Sequence, residues 1–296
     1  MASRRKRLRL GWIDIAVFAA LLAAAANVFY RVDSVLEYRW DWSVIPDYLY
    51  RWDEEQQRWV PNLLMRGLYT TLRLALWGIV LSAVIGVAFG IMRTTRRLFA
   101  RMLSRAYVEL IRNIPPLVFV FIFYFFISSQ IMPSLGIEEF VRQASPETLA
   151  WLEVLFGEPA LIPNLISGIF CLAMLEGAYV TEIVRAGLQS VPKSQAEAGL
   201  SIGLSRPQLM RYIILPQAVQ RVVPPLAGQF ITLVKDSSIV SLISIQELTF
   251  LAVETAVSTT RMFEVWITVA GLYFCVCYAC ALLFARIERA MAARRR

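Results

Sequence analysis

Apolar and polar positions fall in blocks along this chain. Uncharged apolar runs occupy residues 15–30, 74–92, 114–137, 160–175 and 265–285, and a further pair, 222–234 and 237–246, is split by Lys235-Asp236. A helix needs about 17–25 mostly apolar residues to cross a bilayer, so 74–92 and 265–285 read directly as spans. The run at 114–137 is long enough to take in some loop, and 160–175 continues past Glu176 towards Arg185. The split pair reads as one interrupted span, the weakest of the set. Six spans in one integral domain follow, an all-α membrane protein.

Composition agrees. Of 296 residues 58% are hydrophobic and 18% charged, against about 45–50% and about 25% in soluble domains. The net charge of +8 is no nucleic-acid footprint, because no basic stripe is interleaved with exposed aromatics. The basic residues instead flank apolar runs: Arg4 to Arg9, Arg93 to Arg112, Lys193 with Arg206 and Arg211, and the ending RIERAMAARRR. Acidic segments at 33–55 and 138–158 alternate with them. Cytoplasmic loops hold the excess of Lys and Arg, so both termini are expected in the cytoplasm. The first run is longer than the apolar core of a signal peptide, about 7–15 residues, and bulky Phe29 and Tyr30 follow its small residues Ala23–Ala26. It reads as an uncleaved anchor. The segment after it, rich in Trp and Tyr from Tyr38 to Trp59, suits a bilayer interface.

Catalysis and metal chemistry find little purchase. The chain has no histidine for general-base work or metal binding. Cys171, Cys275, Cys277 and Cys280 all lie in apolar runs and read as small packing residues. No G-x-x-x-x-G-K-[ST] phosphate loop is present, and the lysines Lys6, Lys193 and Lys235 stand in no such setting.

SQAEAGLSIGLSRPQLMRYIILPQA, residues 194–218, breaks the apolar pattern. Ser194 with Glu197 has capping-box form, and Gly203 suits a left-handed helix end. Ser205 then caps a second helix that tolerates Pro207 in its first turn and is expected to stop at Pro216. A helix, a turn and a second helix are predicted on the basic side of the membrane.

The spaced residues Glu197-Ala198-Gly199, Gly203, Ile213 and Leu215-Pro216 resemble the Glu-Ala-Ala signature of bacterial ABC-importer permeases, with Gly199 where alanine is usual. YVELIRNIPPLVFVFIFYF (107–125), EGAYVTEIVRAGLQSVPKSQAEAG and PPLAGQFITLVKDSSIVSLISIQELT are similar to blocks of the polar amino-acid branch, so that about 67–288 is covered. Departures stand at Asn113-Ile114, Glu176 and Ala227-Gly228. The resemblance implies a MetI-like permease core of five helices plus one N-terminal helix. Residues 1–61 would form the basic start, first helix and outer loop, and 62–296 the transmembrane domain with a coupling loop at 190–216. It also implies a bacterial inner-membrane subunit that is not itself an enzyme and binds no cofactor. A partner ABC ATPase would use ATP and Mg. A second permease subunit (the same or a related chain), an extracytoplasmic solute-binding protein and membrane lipid complete the set. Glu197 would fix the loop helix, while Ala198, Gly199 and Gly203, with Pro216 behind them, would transmit motion.

Glu176 is the candidate for contact with substrate. An acid in mid-span costs about 2.5–3.5 kcal/mol on insertion scales, so it faces a cavity or a partner. A carboxylate there suits an α-ammonium or a cationic side chain, with Gly177 admitting a ligand to the backbone and Tyr179 one turn on. The structural alternative pairs Glu176 with an arginine of another span, Arg73 for example. Lys235 and Asp236 point about 100° apart in a helix and are expected to anchor a broken turn, with Glu182 and Arg185 as boundary groups. A stand-alone secondary transporter or channel is the rival reading, which leaves the two-helix loop unexplained.

Overall fold

The computed structural model of the chain describes residues 11–34 and 38–293. The basic start Arg4 to Arg9, the last three arginines and the side chain of Phe29 lie outside the described residues. Two compact units divide at residue 43. The first holds α1 (Trp12–Ser34) and, after it, Trp40 stacked on Trp42 with ring centroids 6.0 Å apart.

The second unit runs through α2 (Ile45–Leu49), a hairpin of β1 (Tyr50–Asp53) and β2 (Arg58–Pro61), then α3 (Leu63–Thr94), α4 (Leu98–Asn113), α5 (Pro116–Ile122) and α6 (Ser129–Ser134). It continues with α7 (Ile137–Gln143), α8 (Pro146–Phe156), α9 (Ile162–Gln189), α10 (Lys193–Ser201), α11 (Arg206–Leu209), α12 (Leu215–Asp236), α13 (Leu248–Thr259) and α14 (Met262–Ala293). The fold is all-α apart from that hairpin. Residues 44–61, expected to belong with the first helix, are grouped instead with the main body. Ile45 is buried with Leu64, Leu68, Leu248 and Val265, and Asn62 donates to the Asp47 carbonyl at 2.7 Å.

Among the described residues five helical segments are long and apolar enough to cross a membrane: 63–94, 116–134, 159–189, 206–243 and 262–291. The first of the six expected spans is the helix α1, whose apolar stretch Trp12–Val28 is shorter. Lys235-Asp236 does not break its span. The helix tightens into a 3₁₀ stretch, Ser237–Ile243, and continues.

α3 and α9 form the centre. Gly78, Ser82, Gly86 and Gly90 recur every four residues, which puts them on one face of α3, and all four are buried. Small residues at that spacing let helix backbones approach closely where lipid supplies no hydrophobic drive. The approach here is to α9: a Cβ at Gly86 would stand 2.5 Å from Cβ of Val180 and 3.1 Å from the amide nitrogen of Thr181. Packed beside them are Leu172, Leu175, Ala178, Phe119, Val120 and Ile243.

Arg73, proposed from sequence as a partner for Glu176, is committed elsewhere. It donates to the carbonyls of Glu153 at 3.1 Å and Val154 at 3.3 Å, and Trp77 donates to Leu155 at 3.2 Å. These carbonyls lie at the C-terminus of α8, where the helix dipole favours a cation, and that of Glu153 also accepts from the Gly157 amide at 2.8 Å. Sequence distance hid this pairing, because α8 folds back onto α3 some eighty residues later in the chain.

Candidate functional site

Two regions hold the residues singled out from sequence, and α9 connects them. Its 28 residues span about 42 Å at about 1.5 Å per residue, with Ile162 at one end and the loop carrying α10 beyond the other.

At the α10 end, the helix starts at Lys193 with Pro192 at the N-cap and no side-chain cap. The expected Ser194–Glu197 box is therefore not formed, because the helix begins before Ser194 and has no use for its hydroxyl. Glu197 is exposed, and its carbonyl, not its carboxylate, is engaged, by the Ser201 hydroxyl at 2.9 Å. Gly203 adopts φ +84 with nothing within 4 Å of a Cβ built there. Close approach at Gly199 is made by the chain's own Leu209 and Ile213, whose Cδ1 atoms would stand 2.6 and 2.7 Å from a Cβ at this position. Ala198 is exposed, and so are Leu200 and Ile202, the latter 76% accessible. The second cap forms as expected: Gln208 Oε1 accepts from both the amide and the hydroxyl of Ser205, each at 2.9 Å.

Pro216 does not end the second helix. It lies in the first turn of α12, and helix runs on from Arg206 to Ile243. The turn ahead of it, Met210–Ile214, is π-helical, closed by the Leu215 amide on the Met210 carbonyl. Such a turn widens the backbone and takes up the clash a proline ring makes with the carbonyl four residues earlier.

The second region centres on Glu176, 1% accessible in the middle of α9. Gln229 of α12 donates through Nε2 to Glu176 Oε2, and Asp236, two turns further along α12, interacts with the same carboxylate. Oε1 of Glu176 is buried and, among the described residues, accepts from no amide, hydroxyl or cation, which leaves the Asp236 carboxyl as the neighbouring polar group. Among the described residues no lysine or arginine forms an ion pair with it. Gly177 points away, towards Ile85 and the Tyr107 hydroxyl, each 2.9 Å from a Cβ placed there. Tyr107 donates to the Met174 carbonyl at 2.6 Å, and burial raises its phenol above the ordinary value, which keeps it a neutral donor. Tyr179 is half-buried, with the Arg112 guanidinium 5.3 Å above its ring.

Glu176, Tyr179, Ile183 and Ala186 lie on one face of α9 by helical spacing. Along it, exposure rises from buried Glu176 through half-buried Tyr179 and Ile183 to exposed Ala186. This face of α9 therefore opens progressively from Glu176 towards α10, and both α4 and α12 pack on the same helix. On its α12 side, Gly228 beside Gln229 has nothing within 4 Å. Near the open end Glu182 binds Arg93 at 2.9 Å and Arg185 at 2.7 Å, tying α3 to α9. At the opposite end of α9 a separate polar cavity of about 530 Å³ is lined by Arg51, Arg66, Arg73, Asn164 and Gln246 among others.

This arrangement of five long helices with an exposed helix–turn–helix between two of them invites comparison with known membrane proteins. Residues 78–293 match the family described as "Binding-protein-dependent transport system inner membrane component". The chain belongs to that family. The permease is 36% identical over 72% of its length to the probable glutamine ABC transporter permease protein GlnM of Bacillus subtilis, covering 85% of that protein. It is 31% identical over 77% of its length to the glutamine transport system permease protein GlnP of Escherichia coli K12, covering 93%. A solved structure described as an amino acid ABC transporter with histidines superposes with a TM-score of 0.61 at 30% identity, over 77% of this permease and 94% of that chain.

Two residues that meet this face of α9 escaped the reading of the sequence. Gln229 is the single amide in the apolar run 222–234, and Arg112 is the last cation before the run at 114–137. Both are polar groups at the margin of a span, and that is the signal the sequence offers. Which residues of α9 they meet is not written in their local context.

Proposed function

We propose that this permease is the membrane-spanning subunit of an ATP-driven importer of polar amino acids. Substrate passes along the face of α9 below Glu176, and α10 carries the force of a partner ATPase into α9 and α12. The reading rests chiefly on α10. It presents Ala198, Leu200 and Ile202 outward, has Gly199 packed on Leu209 and Ile213, and carries an exposed Glu197 whose carboxylate takes no bond among the described residues. Exposed aliphatic side chains on a rigidly backed short helix are suited to a protein groove, since apolar groups left in water cost about 25 cal/mol per Å².

In this scheme α10 and both termini face the cytoplasm, and the chain lies in the bacterial inner membrane. ATP and Mg are used by the ATPase, with no cofactor held by this chain. A second permease subunit covers that face from the side, and an extracytoplasmic binding protein delivers substrate at the hairpin end. The amino-acid substrate is suggested by the glutamine permeases to which the chain is similar. Closure of the ATPase pair rocks α9 and α12 and exchanges access to Glu176 between the two faces.

Co-expression with the cognate ATPase tests this. Ile202→Asp is expected to abolish co-purification of the ATPase while leaving the permease monodisperse. Gly203→Val forces a branched residue into the left-handed region at a cost of about 1–2 kcal/mol; it is expected to reduce ATP-driven uptake at least tenfold with the fold retained. Uptake that proceeds at full rate with no ATPase present would instead favour a stand-alone transporter.

A further inference from the structure

We propose that Arg112, stacked on Tyr179, is the receptor for the α-carboxylate of the transported amino acid, with Glu176 taking the α-ammonium. The inference rests on the amino-acid reading above and names the residues that make this face of α9 selective for a zwitterion.

Arg112 is uncommitted, and Glu176 has polar neighbours but no cation. Arg112 is exposed, and among the described residues no carboxylate pairs with it. Its neighbour one turn back, Glu109, is engaged by Arg105 at 3.9 Å and by the Asn113 amide at 3.2 Å. On α9, Glu176 keeps one buried oxygen that accepts from no amide, hydroxyl or cation among the described residues. A carboxylate in that condition is costly unless a donor arrives. Gln229 and Asp236 supply no cation: the one donates an amide hydrogen, and the other shares a hydrogen bond between the two carboxyl groups.

The two receptors are placed one helical turn apart through Tyr179. Both charged groups of an α-amino acid hang from one carbon, and charge-assisted hydrogen bonds to them are about 2.8 Å long. Their receptors must therefore stand within about one helical turn of each other. Glu176 and Tyr179 are three residues apart, about 4.5 Å along α9, and Arg112 lies over the Tyr179 ring. The ring holds the flat guanidinium by cation–π attraction and leaves its donor edge free for a carboxylate, which a guanidinium can meet with two parallel bonds. Neither charge reads the side chain, so the clamp is generic for α-amino acids and leaves side-chain selection to other walls.

The test is made on the complete transporter, permease with ATPase and binding protein, reconstituted in proteoliposomes and, for binding, in nanodiscs. Labelled polar L-amino acids identify the best substrate, which is then compared with its α-carboxamide, a ligand of similar shape lacking the carboxylate charge. Wild type is expected to favour the acid by about tenfold or more, the worth of one charged hydrogen bond. Arg112→Gln and Tyr179→Leu are expected to bring that ratio close to one, in uptake and in binding alike. Arg112→Lys and Tyr179→Phe, which keep the charge and the ring, are expected to retain much of it. An acid-to-amide ratio that Arg112→Gln leaves unchanged, with both ligands falling together, would reduce Arg112 to a packing group and overturn the assignment. Wild-type complex that carries none of the amino acids would overturn the importer reading itself, a separate outcome.

Discussion

Gly86→Leu is expected to eliminate most of the folded permease. Adding methylenes to a packed core costs about 1–3 kcal/mol when neighbours can shift. Here the new side chain would meet Val180 Cβ at 2.5 Å and the Thr181 backbone nitrogen at 3.1 Å. A backbone cannot retreat as a side-chain tip can, so α3 and α9 must separate along the whole Gly78–Gly90 stripe, and the core that includes Leu172 and Leu175 opens with them. Fluorescence size-exclusion profiles and thermal unfolding in detergent measure this. Gly271→Ala in α14, where nothing lies within 4 Å of the added carbon, is expected to leave both unchanged. A Gly86→Leu protein with a wild-type profile would mean that α3 and α9 do not pack as described.

Glu176→Gln is expected to weaken substrate binding by about 2- to 30-fold, with the helix bundle intact. The substitution keeps the shape but removes the charge, and hydrogen bonds to a charged group contribute about 1.5–3 kcal/mol where neutral ones contribute about 1. It also sets an amide opposite the Gln229 amide, whose Nε2 now donates to the carboxylate. Binding of a panel of labelled amino acids to the reconstituted complex reads the effect. Unchanged affinity for every ligand would take Glu176 out of the pathway and leave its buried oxygen without a function.

Much of the architecture was legible in the chain. Apolar runs locate the five long helices, because the cost of polar groups in hydrocarbon is large and nearly additive by residue. The loop at 194–218 was legible for a similar reason: the left-handed backbone at Gly203 and the Ser205–Gln208 cap are local events among neighbours in sequence. Where the reading failed, a local rule competed with a longer-range one. Pro216 should stop a helix, yet a π turn next to it absorbs the ring. Ser194 has the form of a cap, yet the helix starts before it.

Taken alone, then, the order of residues determined the membrane class, the rough limits of the five long helices, the punctuated loop and the presence of one acid in mid-span. Those properties follow from transfer energies and short-range backbone geometry, which each segment carries with it. Which helix faces which was decided only by tertiary structure. That step gave Arg73 to the end of α8, Gly86 and Gly90 to α9, Gln229 to one oxygen of Glu176, and Arg112 to the ring of Tyr179. Each is a contact between segments at least fifty residues apart, made specific by packing and by the need to satisfy polar groups away from water, and no local pattern encodes it.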